Sequence, residues 1–169
     1  MKKLLFILFA LVTITGCTQA QNAQSDEKSN PQIQKLAPYR ILNTDSVYVT
    51  PAQLKKNKPV MLIYFSPDCS HCQHMMYEMQ PKMKELANVQ IVMITFTSYP
   101  MIKAFYRDFG ISRYPNITIG TEGYTYKVQQ YYKVKTTPYI AIYDAKGKLV
   151  KTYEKPPKIE ELIKVVKKA

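Results

Sequence analysis

Apolar residues occur along this chain in short dense runs, separated by polar stretches that often carry proline. Residues 59–65 (PVMLIYF) and 89–95 (VQIVMIT) are near-continuous apolar runs of strand length, as expected for strands buried on both faces. Residues 39–49 alternate weakly and predict one or two short strands. Thr50 followed by Pro51 reads as an N-cap and first helical position, opening a short helix to about Leu54, with a turn at 55–58. Residues 73–86 follow a helical pattern, with Met75, Met76, Met79, Met83 and Leu86 at apolar positions. Pro81 is expected to kink or divide that helix. A helix over 99–109 ends at Gly110. Then come a short strand over 116–119, a helix over 124–132, and a strand over 139–143 that turns at 144–147 into a hairpin partner over 149–153. Pro156 and Pro157 break the chain before a last helix over 158–168. Its Glu160 and Glu161 stand early and its Lys164, Lys167 and Lys168 late, as the helix dipole favours. Strand–helix–strand followed by strand–strand–helix predicts an α/β fold, a mixed sheet with helices on both faces.

The N-terminal pattern is of another kind. Lys2 and Lys3 precede an apolar stretch, residues 4–14, too short to span a bilayer as a stable helix. The stretch ends in Ile14-Thr15-Gly16-Cys17, which resembles the bacterial lipobox. That resemblance implies cleavage before Cys17 and diacylation of this cysteine, which becomes the new N-terminus, so that the chain is held to a bilayer without a transmembrane helix. Residues 18–36 are rich in Gln, Asn, Ser and Lys and poor in apolar side chains. They cannot bury enough surface to offset their ordering entropy and are expected to form a flexible tether. The expected division is a lipoprotein signal peptide over 1–16, the lipidated Cys17 with its tether over 17–36, and one domain over 37–169, long enough for a core of its own.

Charge adds little. The chain has 24 Lys and Arg against 12 acids, a net +12, and loss of the leader lysines leaves about +10. The basic residues are scattered, with no aromatic-basic cluster. Anionic lipid headgroups or acidic partners fit such a surface, while an exported chain is not expected to meet nucleic acid. Cysteine usage says more. With Cys17 taken by lipid, Cys69 and Cys72 remain, and none is left for a structural disulfide. In an oxidising compartment a lone vicinal pair points to catalysis.

Cys69-Ser70-His71-Cys72 lies between an expected buried strand and an expected helix. A dithiol at a helix N-terminus has its thiolate stabilised by backbone N–H groups and the helix dipole, and thiolates attack disulfides. The element order, this pair and the dipeptide Thr137-Pro138 before the hairpin together resemble the thioredoxin fold. The segment 46–54 and the extra strand and helix over 116–132 resemble its TlpA/ResA-like branch, whose members are membrane-tethered thiol–disulfide oxidoreductases of the bacterial envelope. The resemblance spans about 39–168. It implies a thioredoxin-like three-layer sandwich, a mixed central sheet flanked by helices, with an N-terminal extension and a strand-helix insertion. It also implies Cys69 as nucleophile, Cys72 as resolving thiol, and Pro138 as a cis-proline that sets the Thr137 backbone to pair with an extended substrate. The reaction needs no cofactor beyond the Cys69–Cys72 disulfide. Its partners are client proteins with disulfides or thiols and a membrane thiol electron donor, and reduction of clients is the expected direction.

Three departures leave the direction open. Asp68 stands where an aromatic often precedes the first cysteine. Ile63 occupies the position of thioredoxin's buried acid. The intervening dipeptide is Ser-His, and a protonated His71 would stabilise the Cys69 thiolate and make the pair more oxidising, as in the oxidases of the fold. Oxidase or isomerase activity is therefore an alternative. Glu78, six residues beyond Cys72, is a weak candidate base. A copper- or zinc-binding thioredoxin-like metallochaperone is a further alternative, since Cys69, His71, Cys72 and His74 fall within six residues and Met75, Met76 and Met79 follow. A helical start splays that set, so no metal ligands are assigned. The peroxidase pattern of the fold is only partly met, by Ser66 three residues before Cys69 but with Leu62 at its proline position.

Overall fold

The computed structural model describes residues 31–169. The proposed signal peptide and Cys17 lie outside the described residues, as does the tether up to residue 30. Seven strands form one sheet: β1 (Ile41–Asn43), β2 (Tyr48–Val49), β3 (Val60–Tyr64), β4 (Gln90–Thr95), β5 (Ile117–Thr121), β6 (Tyr139–Tyr143) and β7 (Leu149–Tyr153). Their spatial order is β2-β1-β5-β4-β3-β6-β7. The helices are α1 (Ser70–Met79), α2 (Tyr99–Asp108), α3 (Lys127–Tyr132) and α4 (Ile159–Val166). The fold is the expected α/β sandwich with a mixed sheet.

The two apolar runs become the middle of the sheet. β3 pairs parallel with β4 and antiparallel with β6, and all five of its residues are buried. Alternate side chains then feed two cores. Met61, Ile63, Ile91, Met93, Ile140 and Ile142 face α1, α2 and α4. Leu62, Tyr64, Val92, Ile94, Ala141 and Tyr143 face α3 and the N-terminal segment. The insertion adds β5 parallel to β4, and β1 closes on β5 antiparallel. Gly120 permits that closure, since a Cβ there would lie 2.8 Å from the Leu42 carbonyl oxygen.

Local signals explain most element ends. Thr50 and Gln53 form a capping box around the 3-10 turn Pro51–Gln53. α2 stops where Gly110 takes φ +54, which L side chains rarely adopt. Asp144 turns the β6–β7 hairpin by accepting the N–H groups of Lys146 and Lys148, both at 2.9 Å. α1 differs from expectation at both ends. It starts at Ser70 rather than Gln73 and ends at Met79, where Pro81 directs the chain into the 3-10 turn Gln80–Lys82.

Residues 31–36, expected at the end of the tether, are docked on the domain. Gln32–Gln34 forms a 3-10 turn with Ile33 buried. The Ala37 N–H donates to the Tyr132 hydroxyl at 3.1 Å. That leaves the Tyr132 O–H to donate to the Tyr143 hydroxyl at 2.8 Å. The Tyr143 O–H in turn faces the carbonyls of Ile33 at 3.0 Å and Lys35 at 3.1 Å. Such a chain is polarised in one direction, so its bonds reinforce one another. The Tyr131 hydroxyl adds a donor to Gln32 and Lys35. The polar composition of the segment hid this, because its ordering is offset by hydroxyls far along the chain.

Tyr143→Phe removes the middle link and leaves the buried Ile33 carbonyl short of a donor. We expect a loss of about 1–3 kcal/mol in denaturant unfolding. Amide exchange at Ala37 should rise more than exchange in β3; equal protection at both would show that the hydroxyl chain does not hold the segment.

Candidate functional site

The site forms where β3 runs out. β3 delivers Phe65 and the loop 66–68 to the start of α1, where Cys69 is the N-cap residue, φ −78 and ψ 115. Helical spacing puts Cys72, Met75, Met76 and Met79 on one face, and all four are buried against the sheet. Cys72 is therefore part of the core stripe, fully buried, whereas Cys69 caps the helix and is partly exposed. Both are free thiols.

β6 completes the site from the other side. It begins at Tyr139, opposite Tyr64, so the preceding residues lie beside the end of β3. The Thr137–Pro138 peptide is cis. The Cys69 thiol donates to the Thr137 carbonyl at 3.3 Å. The loop is pinned in turn. Cys69 N–H donates to the Ser66 carbonyl at 3.1 Å, and the Gln73 side-chain amide donates to the Pro67 carbonyl at 2.7 Å.

The two thiols differ electrostatically. Partial burial raises the Cys69 pKa, but hydrogen bonds from the Cys72 thiol, the Thr137 side chain and the peptide N–H groups of Cys72 and His71 outweigh it. The net value lies below that of an ordinary thiol. Burial pushes Cys72 up to about 12, and its hydrogen bond to Cys69 adds to the rise, against a smaller lowering by the Ser66 backbone. Ile63 is buried in the same apolar cluster as Cys72.

The other candidate residues lie further out. The His71 imidazole is exposed, and it is the His71 peptide N–H that reaches Cys69. Asp68 is exposed and accepts the Ser66 hydroxyl. Glu78 pairs with His74 at 3.6 Å on the solvent side of α1. The proposed metal set is splayed, with Cys72 in the core and His71 and His74 in solvent. Among the described residues no three His, Cys, Asp or Glu side chains gather to hold a metal. The roles of Ser66 and Gln73 in shaping the loop carried no sequence signal, because both end on main-chain carbonyls, which any residue supplies.

A family model of the thioredoxin-like domain matches residues 49–168. The chain belongs to the thioredoxin-like family. With its paired thiols it is a thiol–disulfide oxidoreductase. Solved structures share its fold. A secreted Mycobacterium tuberculosis disulfide oxidoreductase, homologous to E. coli DsbE, is 17% identical with a TM-score of 0.65, covering 83% of this chain and 99% of its own. An exposed lipoprotein thioredoxin of Streptococcus pneumoniae is 21% identical with a TM-score of 0.62, over 78% and 98%. A thiol:disulfide interchange protein from Chlorobium tepidum is 19% identical with a TM-score of 0.66, over 80% and 95%. At these identities the likeness is one of fold. A comparison with curated proteins gives no match.

In this thioredoxin-like protein only a thiolate reacts with an alkylating agent, and its fraction falls as pH falls through the thiol pKa. At neutral pH iodoacetamide should therefore modify reduced Cys69 and spare Cys72. The alkylation midpoint should lie below that of a free cysteine. Equal labelling of both cysteines, read by peptide mass mapping, would contradict the asymmetry described.

Proposed function

We propose that this chain reduces disulfides of client proteins in the bacterial envelope, with Cys69 as nucleophile and Cys72 as resolving thiol. The observation that carries the exchange chemistry is the placement of one stabilised, accessible thiol beside one buried, protonated thiol, and the reducing direction is what the TlpA/ResA-like resemblance implies. The Cys69 thiolate attacks one sulfur of a client disulfide, the client S–S bond breaks, and the other client sulfur leaves as a thiolate that takes up a proton. Cys72 then loses its proton and attacks the Cys69 sulfur of the mixed disulfide. The second client sulfur leaves, the client is fully reduced, and the protein holds a Cys69–Cys72 disulfide. A membrane dithiol donor returns two electrons for the next cycle. The two sulfurs carry the electrons and no other cofactor is needed.

The Thr137 carbonyl at the mouth supports a role in pairing with an extended client backbone beside Pro138. The Ile14-Thr15-Gly16-Cys17 sequence supports a leader over 1–16 and a lipid anchor on Cys17 that holds the domain on the outer side of a membrane. The docking of residues 31–36 shortens the tether expected over 17–36 and extends the domain. Among the described residues no helix is long and apolar enough to cross a membrane.

A second reading, oxidation or isomerisation of clients, is favoured by the lowered Cys69 pKa. A stabilised thiolate stabilises the reduced form and makes the disulfide more oxidising. The exposed His71 would act in the same direction when protonated.

Cys72→Ser should accumulate client mixed disulfides through Cys69, and Cys69→Ser should accumulate none. Non-reducing electrophoresis that shows no adduct with Cys72→Ser would sink the exchange mechanism. The reduction potential of the pair decides the direction. A value near about −270 mV supports the reductant, and one near about −120 mV the oxidase.

A further inference from the structure

We propose that the groove between the start of α1 and α2 is a client subsite that takes a lysine or arginine side chain flanking the attacked cysteine. This specificity rests on the exchange reading above. The groove, about 300 Å³, is lined by Pro67, Asp68, Gln73, Met101, Phe105 and Asp108, among others. It adjoins the redox loop, because Pro67 and Asp68 of its lining immediately precede Cys69. A client held through its sulfur at Cys69 therefore has neighbouring residues within reach of it.

The chemistry of the lining selects the occupant. The apolar part is firm. Phe105 packs tilted against Phe65 at 4.9 Å and Phe109 at 4.4 Å between ring centroids, and Tyr77 of α1 packs on Phe109 at 5.0 Å. Met101 adds a large apolar side chain that is 37% exposed. The rim holds two exposed carboxylates, Asp68 and Asp108. An apolar channel with an acidic rim matches a side chain with an apolar stem and a cationic head, which describes lysine and arginine. Neither rim carboxylate is spent. Asp68 takes one hydroxyl hydrogen, from Ser66, and Asp108 takes two contacts from the Arg107 guanidinium, at 2.7 and 2.8 Å, both on its Oδ1. A carboxylate has about four lone-pair sites, so both retain acceptor capacity. Lys103, the other cation of α2, is drawn away to the Thr44 carbonyl at 3.3 Å.

The whole chain points the other way. Its net charge of +12 favours acidic partners in the long-range field. A preference for basic flanks therefore identifies the groove against its background.

The test measures exchange rates of the reduced full-length protein with three disulfide peptides that differ only beside the attacked cysteine, carrying Lys, Ser or Glu. At low salt the Lys peptide should react about fivefold faster than the Glu peptide, and the double variant Asp68→Asn/Asp108→Asn should bring the two within about twofold. The ratio within one protein cancels any change in thiol reactivity that Asp68→Asn causes. Normal exchange with the Ser peptide but equal rates for Lys and Glu, or a faster Glu peptide, would overturn the subsite and leave the exchange reading standing. Exchange with none of the three overturns the exchange reading and the subsite with it.

Discussion

The packing of α1 on the sheet sets everything that happens at the two sulfurs. The stripe Cys72, Met75, Met76 and Met79 must face β3 and β4, because those strands offer the side chains that bury it. Helical geometry then puts Cys69, three residues before Cys72, on the same side of the helix and at the N-cap position, where its side chain makes no capping bond. One sulfur is committed to the core and the other to the surface by the same contact. The resulting gap in acidity follows from burial on one side and from the free N–H groups of the first turn on the other.

The same sheet has to be covered on its other face, and there the solution is polar. Three tyrosines on α3 and β6 present hydroxyls to backbone groups of residues 32–37. Burial raises the pKa of the Tyr132 and Tyr143 phenols, so they remain donors across the physiological range. Glu122, at the end of β5, works similarly. It is buried, takes the Tyr64 hydroxyl at 2.8 Å and the Val128 N–H at 2.8 Å, and so ties the insertion to the end of β3.

The parts of the fold that were legible in the sequence are those that bury continuous apolar runs. β3, β4 and β6 need no partner to be recognised, since a strand buried on both faces announces itself in its own residues. The start of α1 was less visible, because Ser70 and His71 carry no apolar period and the first stripe residue is a cysteine. The entry to α3 was missed by three residues; Tyr126 takes φ +50, a conformation no residue preference would suggest for tyrosine. The docked segment was missed altogether, since the Tyr143 hydroxyl that orders Ile33 lies 110 residues later. At the site, the cysteines and Thr137-Pro138 stood out, while the loop contacts of Ser66 and Gln73 did not, because they run through main-chain atoms.

The docked segment also decides how the domain carries a load. The Tyr143 end of β6 lies opposite Val60, a full strand length from Tyr64 and Tyr139 at the redox end. Tension applied at residue 31 enters the molecule at the Tyr143 end, through phenol hydroxyls anchored in β6 and α3. From there it passes into the hydrogen-bonded ladder of the sheet and not into α1 or the loop 66–68. The lever arm between residue 31 and the chemistry is the length of the central strands, so a pull at that residue would turn the domain without distorting the geometry around Cys69.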